Sequence, residues 1–368
     1  MLRLHSRSAL LLPAFLFSTI GFAEEFTDRV QKSFTVQPGG TLTLTADYGH
    51  VDMKESTTDN TVNIEVIRVV RADSKTEAQK IFDDFALDAK QSGANVEAKG
   101  RFQQGWQPPG NRRWDDDGDH GRTVCMGDDR QGGQRCLAYA RQLVEHFYVI
   151  TLPKKYSLNV ETRAGHLNLK DIGGDLDAYT RGGHVSAGNV TGKATIDTAG
   201  GHIQLGNVGG PAELETAGGH IGVGNVNGNL NARTAGGHIA SGRVKGNVYA
   251  KTAGGHIEIA SVTGSVVAET SGGGVEVAFA GQPANDSRLE TSGGSVRVDL
   301  PENIKLDVDA EANGGRIETD FPLTTDNDDT RHSWKASSAH GKLNGGGPKL
   351  DVRTSSGSIH LHRASLTF

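Results

Sequence analysis

Apolar and polar residues repeat along the middle of this chain with a period of 18 residues. The phrase Gly-His followed by an aliphatic residue occurs six times, and its histidines are His166, His184, His202, His220, His238 and His256. A seventh copy keeps the pattern without the histidine, as Ser271-Gly-Gly-Gly-Val275. A short repeat of fixed length is typical of a solenoid, in which each repeat buries its apolar face only by stacking on its neighbours.

Inside each repeat, apolar residues alternate with polar ones, and many of them are β-branched. The column that follows the histidine holds Val185, Ile203, Ile221, Ile239, Ile257 and Val275, and a valine column five residues further on holds Val190, Val208, Val226, Val244 and Val262. Alternation of this kind predicts short strands with one face turned inward. Gly-Gly pairs such as Gly200-Gly201 punctuate the coils and predict turns with positive φ.

These patterns predict an all-β fold, a single-stranded parallel β-solenoid (β-helix) with one coil per 18-residue repeat. Each coil should rise by about 4.8 Å, the spacing between neighbouring strands, and parallel crossovers favour a right-handed path. The inward residues are small, which predicts a slim core with little room for a buried ligand. A threonine column shares the parity of the inward residues, which argues against an ice-binding surface; it comprises Thr198, Thr216, Thr234 and Thr252.

The segments around the repeats divide the chain into four predicted parts. Residues 1–23 resemble a secretory signal peptide, with Arg3 and Arg7 before an apolar run and a small-residue cleavage site at Gly21-Phe22-Ala23. Residues 24–153 are predicted to form a β-rich region that carries a long loop at 103–142. The regular solenoid is predicted at 154–276, and irregular C-terminal coils at 277–368 with an inserted loop at 322–346.

One short helix is predicted in the N-terminal region. Ser74 and Glu77 have the spacing of a capping box. One helix face would carry Ala78, Ile81, Phe82, Phe85 and Ala89, with Gly93 after its end. We expect this helix to pack on the sheet or to cover the open end of the solenoid, where a strand edge would otherwise be exposed.

Charge and cysteine content narrow the class of protein. The net charge of −6 and the lack of a basic run exclude nucleic acid as an expected partner. After the signal segment no apolar run approaches the length of a transmembrane helix. Cys125 and Cys136 lie close together in the glycine-rich loop, and in an exported protein a disulfide between them is expected, with two free thiols as the alternative.

The order of segments resembles a known family. Phe34-Thr-Val36 and Gly-Gly-Thr-Leu-Thr-Leu44 precede a Gly-His-Val turn and a strand–helix–strand unit, and Tyr148-Val-Ile-Thr-Leu-Pro153 leads into the glycine-rich repeats. This order is similar to the bacterial "putative adhesin" family of exported β-strand-repeat domains, which are related to auto-transporter adhesin head domains. The resemblance covers roughly residues 30–362. It implies a single-stranded β-helix, an exported location and adhesion, and it supplies no catalytic residues. The histidine column and the 103–142 loop are not part of the shared pattern.

The other candidate sites have simpler explanations. The acidic run Asp115-Asp116-Asp117-Gly-Asp119 lacks the first ligand of a calcium loop, since Arg113 stands there, so a solvated loop is expected. A variable column forms a surface charge ladder in which Glu215–Arg233 and Lys251–Glu269 attract; its other member is Asp197. No catalytic triad or acid–base cluster stands out, and neither an enzyme nor a cofactor is predicted. The last phrase, Leu361–Phe368, faintly resembles a barrel strand, but a final solenoid strand is expected.

The histidine column itself has two interpretations. The 18-residue register places the imidazoles in a row about 4.8 Å apart, beside a turn and facing solvent. The simpler interpretation is a stacked ladder that serves packing and solubility. The alternative is a weak Zn²⁺ or Ni²⁺ surface, with His184, His202, His220 and His238 as candidate ligands, although no adjoining acid column completes a tetrahedral site.

The function expected from the sequence is surface binding. We expect an exported, non-enzymatic, adhesin-like solenoid in the periplasm or on the cell surface, with an envelope or surface glycan or protein as partner and with self-association as a further possibility. Trp106, Trp114 and Trp334 lie in the two insertions rather than in the repeats, and amphipathic aromatic residues often anchor ligands. The alternatives are loops that these residues merely pin to the solenoid, a structural or assembly scaffold of the periplasm, and the metal-binding histidine surface.

Overall fold

The computed structural model describes residues 24–54, 60–102, 144–325 and 337–364. The predicted signal peptide, the 103–142 loop up to residue 143, and the part of the second insertion at 326–336 lie outside these residues. The three tryptophans and both cysteines lie outside them as well.

The N-terminal region contains seven strands and one helix among the described residues. They are β1 (Glu24–Thr35), β2 (Thr41–Ala46), β3 (His50–Lys54), β4 (Thr61–Ala72), α1 (Lys75–Asp83), β5 (Phe85–Ser92), β6 (Asn95–Phe102) and β7 (Val144–Thr151).

The repeats continue as alternating strands of two sheets. The strands of the first sheet are β9 (Leu167–Asn168), β11 (Val185–Ala187), β13 (Ile203–Leu205), β15 (Ile221–Val223), β17 (Ile239–Val244), β19 (Ile257–Val262), β21 (Val275–Phe279) and β23 (Val296–Leu300). Those of the second sheet are β8 (Ser157–Thr162), β10 (Leu176–Thr180), β12 (Ala194–Thr198), β14 (Ala212–Thr216), β16 (Leu230–Thr234), β18 (Val248–Lys251), β20 (Val266–Thr270) and β22 (Ser287–Thr291).

The C-terminal strands complete both sheets. They are β24 (Leu306–Ala312), β25 (Ile317–Thr319), β26 (Thr324–Thr325), β27 (Ser338–Leu343), β28 (Lys349–Thr354) and β29 (Ile359–Arg363). β26 and β27 lie within the predicted inserted loop at 322–346, so that segment is not a loop throughout. β29 pairs in parallel with β23. The expected final solenoid strand is therefore confirmed as far as residue 363.

The described residues form a parallel β-solenoid with one strand of each sheet in every coil, as the 18-residue period predicted. Val185 pairs with Ile203, and Ala194 pairs with Ala212, each with the equivalent residue of the next coil. Between the two strands of a coil, the valine column forms single parallel bridges, for example between Val190 and Val208. The first sheet holds 14 of the described strands and the second holds 15.

The core fills the space between the sheets along the whole described length. In the repeats the inward positions are small or medium-sized, and one cluster of buried apolar side chains extends from Val36 to Leu361. It includes residues of the N-terminal region, such as Leu42 and Tyr148, as well as those of the repeats. The threonine column is buried, with Thr198 at 0% and Thr216 at 2% exposure. The threonines therefore face the core, as their parity predicted.

Both ends of the solenoid are built out of sequence order. At one end, β6 and β7 lie outside β2 and β3, so the chain moves outward and then returns to β8. At the other end, β28 and β29 insert between β22–β23 and β24–β25, and β27 and β26 lie outside β24. The segment Leu350–Leu361, expected to be the last coil, is therefore the last in sequence but lies inside the coil formed by β24 and β25. Adjacent coils have equivalent apolar patterns, so sequence alone cannot order them.

The helix is shorter than its apolar face suggested. α1 begins after Ser74, whose side chain accepts a hydrogen bond of 3.2 Å from the Glu77 N–H, and it ends at Asp83. Phe85 and Ala89 belong instead to β5, which pairs with β6 in an antiparallel ladder. Ala78 and Phe82 pack against Val70 of β4, so the helix covers the sheet near its end.

The glycine pairs serve close stacking rather than positive φ. In the repeats, neither glycine of pairs such as Gly200-Gly201 has a positive φ, which corrects the expectation for these turns. A Cβ on Gly201 would lie 1.9 Å from the carbonyl oxygen of Gly183 in the preceding coil. The turns of successive coils approach too closely for any side chain at this position.

Candidate functional site

Each histidine of the column follows a Gly-Gly turn and immediately precedes a short strand of the first sheet. His202, His220 and His238 are exposed, and neighbouring rings stack with centroids 4.8 Å apart and planes within 3°. This geometry confirms the predicted row, its spacing and its exposure. The row also extends beyond the repeats, since His50 stacks on His166 at 5.1 Å and on Phe147 at 5.5 Å.

Each imidazole of the column is tied to the backbone of the next coil. The Nδ1 atom of His184 accepts a hydrogen bond of 2.8 Å from the His202 N–H, and the Nδ1 atom of His238 accepts one of 2.8 Å from the His256 N–H. An accepting Nδ1 carries no proton, so the neutral ring places its proton on Nε2. Partial desolvation, followed by the charges of the neighbouring histidines, lowers the pKa of His184 and of His220.

The geometry does not favour the metal interpretation. Zinc requires nitrogen ligands about 2.0–2.1 Å from the ion, whereas the His202 and His220 rings are parallel with centroids 4.8 Å apart, and their Nδ1 atoms already accept backbone hydrogen bonds. Within residues 24–54, 60–102, 144–325 and 337–364, no group of three or more His, Cys, Asp or Glu side chains could hold a metal ion.

Two further columns complete the turns, and sequence reasoning missed one of them. Asn189 Oδ1 accepts a hydrogen bond of 3.0 Å from the Asn207 N–H, and Asn207 does the same for Asn225 at 2.8 Å. These asparagines recur with the 18-residue period, which was the available signal. On the inner side, Thr216 Oγ1 donates to the Gly201 carbonyl at 2.7 Å.

The charge ladder is partly as predicted. Lys251 and Glu269 form an ion pair of 3.0 Å, as expected from their register. Arg233 pairs in register with Glu215, but its guanidinium lies over the Tyr249 ring, 4.8 Å from the centroid. Burial and the neighbouring Glu215 raise the pKa of Asp197.

The histidine column ends at an open groove. The seventh repeat places Gly274 where the next imidazole would stand, and its N–H donates to His256 Nδ1 at 2.8 Å. The groove beyond His256 has a volume of about 480 Å³, and Glu258, Glu276 and Arg297 are among its lining residues. The sequence showed the missing histidine but gave no sign of the groove.

The family model that matches this chain covers residues 111–362 and describes the Toastrack DUF4097 family. The chain belongs to the Toastrack DUF4097 family. This confirms the family resemblance found from the order of segments. The Toastrack DUF4097 match includes the histidine column and the groove, and it excludes the strands from β1 to β6.

Comparison with other proteins adds two distant solved structures. A "putative cell adhesion protein" from Clostridium sporogenes is 12% identical, with a TM-score of 0.18 over 92% of this chain and 100% of that chain. A "putative adhesin" from Bacteroides fragilis is 12% identical, with a TM-score of 0.29 over 74% of this chain and 97% of that chain. No curated protein matches this Toastrack DUF4097 chain.

The candidate ligand anchors and the cysteines remain predictions. Trp106, Trp114, Trp334, Cys125 and Cys136 all lie outside the described residues. The strands that flank the first insertion are informative, because β7 carries Phe147, the ring that begins the stacked row.

Proposed function

We propose that this protein is an exported, non-enzymatic solenoid that binds a glycan or protein of the cell envelope or surface, as an adhesin does. The observation that carries the proposal is the core, which apolar side chains and buried threonines fill along its described length. A ligand must therefore bind on the outer faces, turns or insertions. In the described residues, no helix is long and apolar enough to cross a membrane.

The ordered exterior supports binding by a rigid surface. Backbone N–H groups of successive turns are satisfied by histidine and asparagine side chains of the preceding coil, as in His202–His220 and Asn189–Asn207. Side chains on these faces consequently keep fixed positions over many coils. Little conformational entropy would be lost when they meet a partner, which favours affinity.

The proposed location is tested by cell fractionation combined with surface proteolysis. An adhesin must be accessible to protease on intact cells, whereas a periplasmic scaffold becomes accessible only after the outer layer is opened. Degradation on intact cells is the expected result. Complete protection, with release in the periplasmic fraction, would favour the scaffold instead.

The scaffold alternative finds less support in the ends of the solenoid. A scaffold that continues the parallel coils from one chain to the next needs parallel strands at its ends, but three of the four sheet ends finish in antiparallel pairs: β1 with β4, β5 with β6, and β26 with β27. A second chain that paired with these edges would therefore not continue the regular coil pattern.

The tryptophans provide the test of binding through the insertions. Trp106, Trp114 and Trp334 are changed singly to Ala, and thermal stability and binding to cells or envelope glycans are measured together. Loss of binding at unchanged stability by at least one variant is expected if an insertion contacts the ligand. Unchanged binding in all three, or losses that only follow unfolding, would shift the proposed contact to the solenoid faces.

A further inference from the structure

The column beside the Gly-Gly turn continues beyond the histidines with different residues. Strand register places Gly274, Ser295, Ser358 and Arg316 in successive coils after His256, each just before a residue of the paired set Val275, Val296, Ile359 and Ile317. Where serine replaces histidine, the side chain keeps the same role. Ser295 Oγ accepts from the Ser358 N–H at 3.1 Å, and Ser358 Oγ accepts from the Arg316 N–H at 3.4 Å.

Gly274 interrupts this arrangement at one step. It has no side chain to accept the Ser295 N–H, and among the described residues no hydrogen-bond acceptor takes its place. A Cβ built on Gly274 lies 3.9 Å from the Ser295 nitrogen, and at the next step the equivalent N–H, that of Ser358, donates to the side chain of the preceding coil. The Ser295 N–H is therefore a backbone donor that a ligand could pair with.

The same step leaves one face of the last imidazole uncovered. His238 stacks on one face of His256 with the centroids 5.1 Å apart, whereas the next coil contributes Gly274 to the other face. The groove of about 480 Å³ opens there, and we name it the Gly274 groove. His256 and Gly274 are among its lining residues, and its volume is within the range of small-molecule sites.

The wall of the Gly274 groove offers both signs of charge. Glu258 and Glu276 are paired in register on adjacent strands, and Arg297 is the next residue in that row. The Arg297 Nε atom lies 3.6 Å from Glu276 Oε1, and Arg297 also approaches Asp299 at 3.5 Å. Glu258 stands beside Ala240 on its other side, so its carboxylate faces the groove next to a small side chain.

We propose that the Gly274 groove binds one neutral pyranose ring of an envelope or surface glycan; this rests on the proposed surface-binding function and names its ligand class. The C–H face of the sugar packs on the uncovered face of His256. Its hydroxyl groups accept from the Ser295 N–H and from Arg297, and they donate to the Glu258 and Glu276 carboxylates. Only a group that both donates and accepts can satisfy this mixed set. The two carboxylates repel an acidic sugar.

The direct test is an NMR titration of the mature chain. The probes are methyl β-D-glucopyranoside, methyl β-D-galactopyranoside and methyl α-D-mannopyranoside, each added separately. We expect at least one of them to shift the Ser295 amide and the His256 ring resonances saturably, with a dissociation constant on the order of 1 mM. The Ser358 amide, whose acceptor is already in place, should stay unchanged. Free imidazole is the competing probe, and larger shifts with imidazole than with every sugar would overturn the sugar assignment.

Paired variants separate binding from folding. Gly274→His restores the missing ring and fills the groove, so the sugar-induced shifts should fall at least tenfold. Gly200→His is the matched control, because a Cβ there meets nothing within 4 Å, and it should bind like the parent chain. His256→Asn removes the stacking face but keeps an acceptor for the Gly274 N–H, and it should also lose binding, whereas His166→Asn should not. Equal sugar binding by the parent chain and Gly274→His would overturn the proposal.

Binding to cells distinguishes this inference from the proposed function. If the parent chain binds cells and Gly274→His binds them equally well, surface binding stands and the groove assignment is overturned. If the parent chain shows the sugar-induced shifts but binds neither cells nor isolated envelope, the groove assignment stands and the proposed adhesin function fails.

Discussion

The Nδ1 atom of His202 accepts a hydrogen bond of 2.8 Å from the backbone N–H of His220, one coil further along the solenoid. The His202 N–H in turn donates to His184 Nδ1 at 2.8 Å. The imidazoles therefore complete the backbone hydrogen bonding of the turns. Protonation of a ring places a second donor against the backbone N–H and adds a charge beside stacked neighbours, so it breaks the hydrogen bond at that step.

Replacing two rings separates the role of the acceptor from that of the ring. His184→Ala/His220→Ala removes the acceptors of the His202 and His238 N–H groups, and we expect a loss of about 1 kcal/mol for each. His184→Asn/His220→Asn offers an amide oxygen, as Asn189 does for Asn207 at 3.0 Å, and should lose much less. Urea midpoints at pH 7.5 measure the difference. Equal losses by the two double variants would show that ring stacking, not the acceptor, stabilises the turn.

The same residues predict how stability changes with pH. Partial desolvation, followed by neighbouring histidine charges, lowers the pKa of His184 and of His220 in the folded chain, whereas the unfolded value is about 6.5. The unfolded chain therefore binds more protons, and the free energy of unfolding should fall as the pH drops below about 6.5 and level off below the folded pKa values.

The measurement compares urea midpoints at pH 7.5 and pH 5.5. The His184→Asn/His220→Asn variant should lose less stability over this interval than the parent chain. If both lose the same amount, these two histidines are not the pH-sensitive groups. Addition of Zn²⁺ in a calorimeter addresses the metal alternative at the same time, and heat that saturates with the metal would support it.

Much of the solenoid could be predicted because its regularities are local. A period of two fixes which side chains face inward, and a repeat of fixed length fixes the register of neighbouring coils. The positions of Thr216 and His220 in the repeat thus predict that Thr216 lies in the core and His220 on the surface. Both placements agree with the structure, in which Thr216 is 2% exposed and His220 is exposed.

Other features depend on relations that the pattern does not contain. β28 could pair with β22 or lie outside β24, because Leu350 and Val308 occupy the same apolar position next to the core. Phe85 fits a helix face, but its neighbours in β6 pair with it as a strand, so tertiary pairing overrides the local preference. The Gly274 groove depends on one backbone N–H in the next coil, and residue types alone do not show whether a backbone N–H has an acceptor.

Adjacent glycines provide a sharp test of the turn geometry. A Cβ on Gly201 would lie 1.9 Å from the Gly183 carbonyl oxygen, whereas a Cβ on Gly200 would meet nothing within 4 Å. We expect Gly201→Ala to destabilise the chain by about 3 kcal/mol or more, since backbone must move to relieve the overlap. Gly200→Ala should be neutral or stabilising by up to about 1 kcal/mol, because it restricts the unfolded chain. Thermal unfolding of the pair measures both, and similar melting temperatures would contradict the close approach.

The buried threonine column predicts a loss that is chemical rather than steric. Thr216 Oγ1 donates to the Gly201 carbonyl at 2.7 Å and accepts from the Gly219 N–H at 3.3 Å. Thr216→Val keeps the shape of the side chain and leaves both groups without this partner, which should cost about 1–3 kcal/mol. Thr216→Ser keeps the hydroxyl and should lose less. A larger loss with Ser than with Val, in denaturant unfolding, would show that packing of the methyl group matters more than the hydrogen bonds.

The last prediction concerns His146, which is buried near the end of the solenoid. Its ring stacks on Phe102 with the centroids 4.9 Å apart and meets the edge of Phe85 at 4.7 Å. Burial, with a smaller contribution from the nearby Arg68 charge, lowers the pKa of His146 to about 4. Arg68 itself forms an ion pair with Asp28.

The sign follows from the two pKa values of this histidine. Between about pH 6.5, where the unfolded imidazole is protonated, and about pH 4, where the folded one is protonated, unfolding takes up a proton. The free energy of unfolding should therefore fall by about 3 kcal/mol across this window, at 1.36 kcal/mol per unit of pKa, and should then level off.

His146→Phe removes the titrating group and keeps an aromatic ring between Phe85 and Phe102. Its urea midpoint should change less than that of the parent chain between pH 7.5 and pH 4.5. Glu97, whose pKa its hydrogen bonds to Lys90 and Lys99 lower to about 2, loses its contribution as the pH falls from about 4.5 to about 2 and so leaves most of this window undisturbed. Parallel pH profiles for the parent chain and His146→Phe would show that the acid sensitivity arises elsewhere.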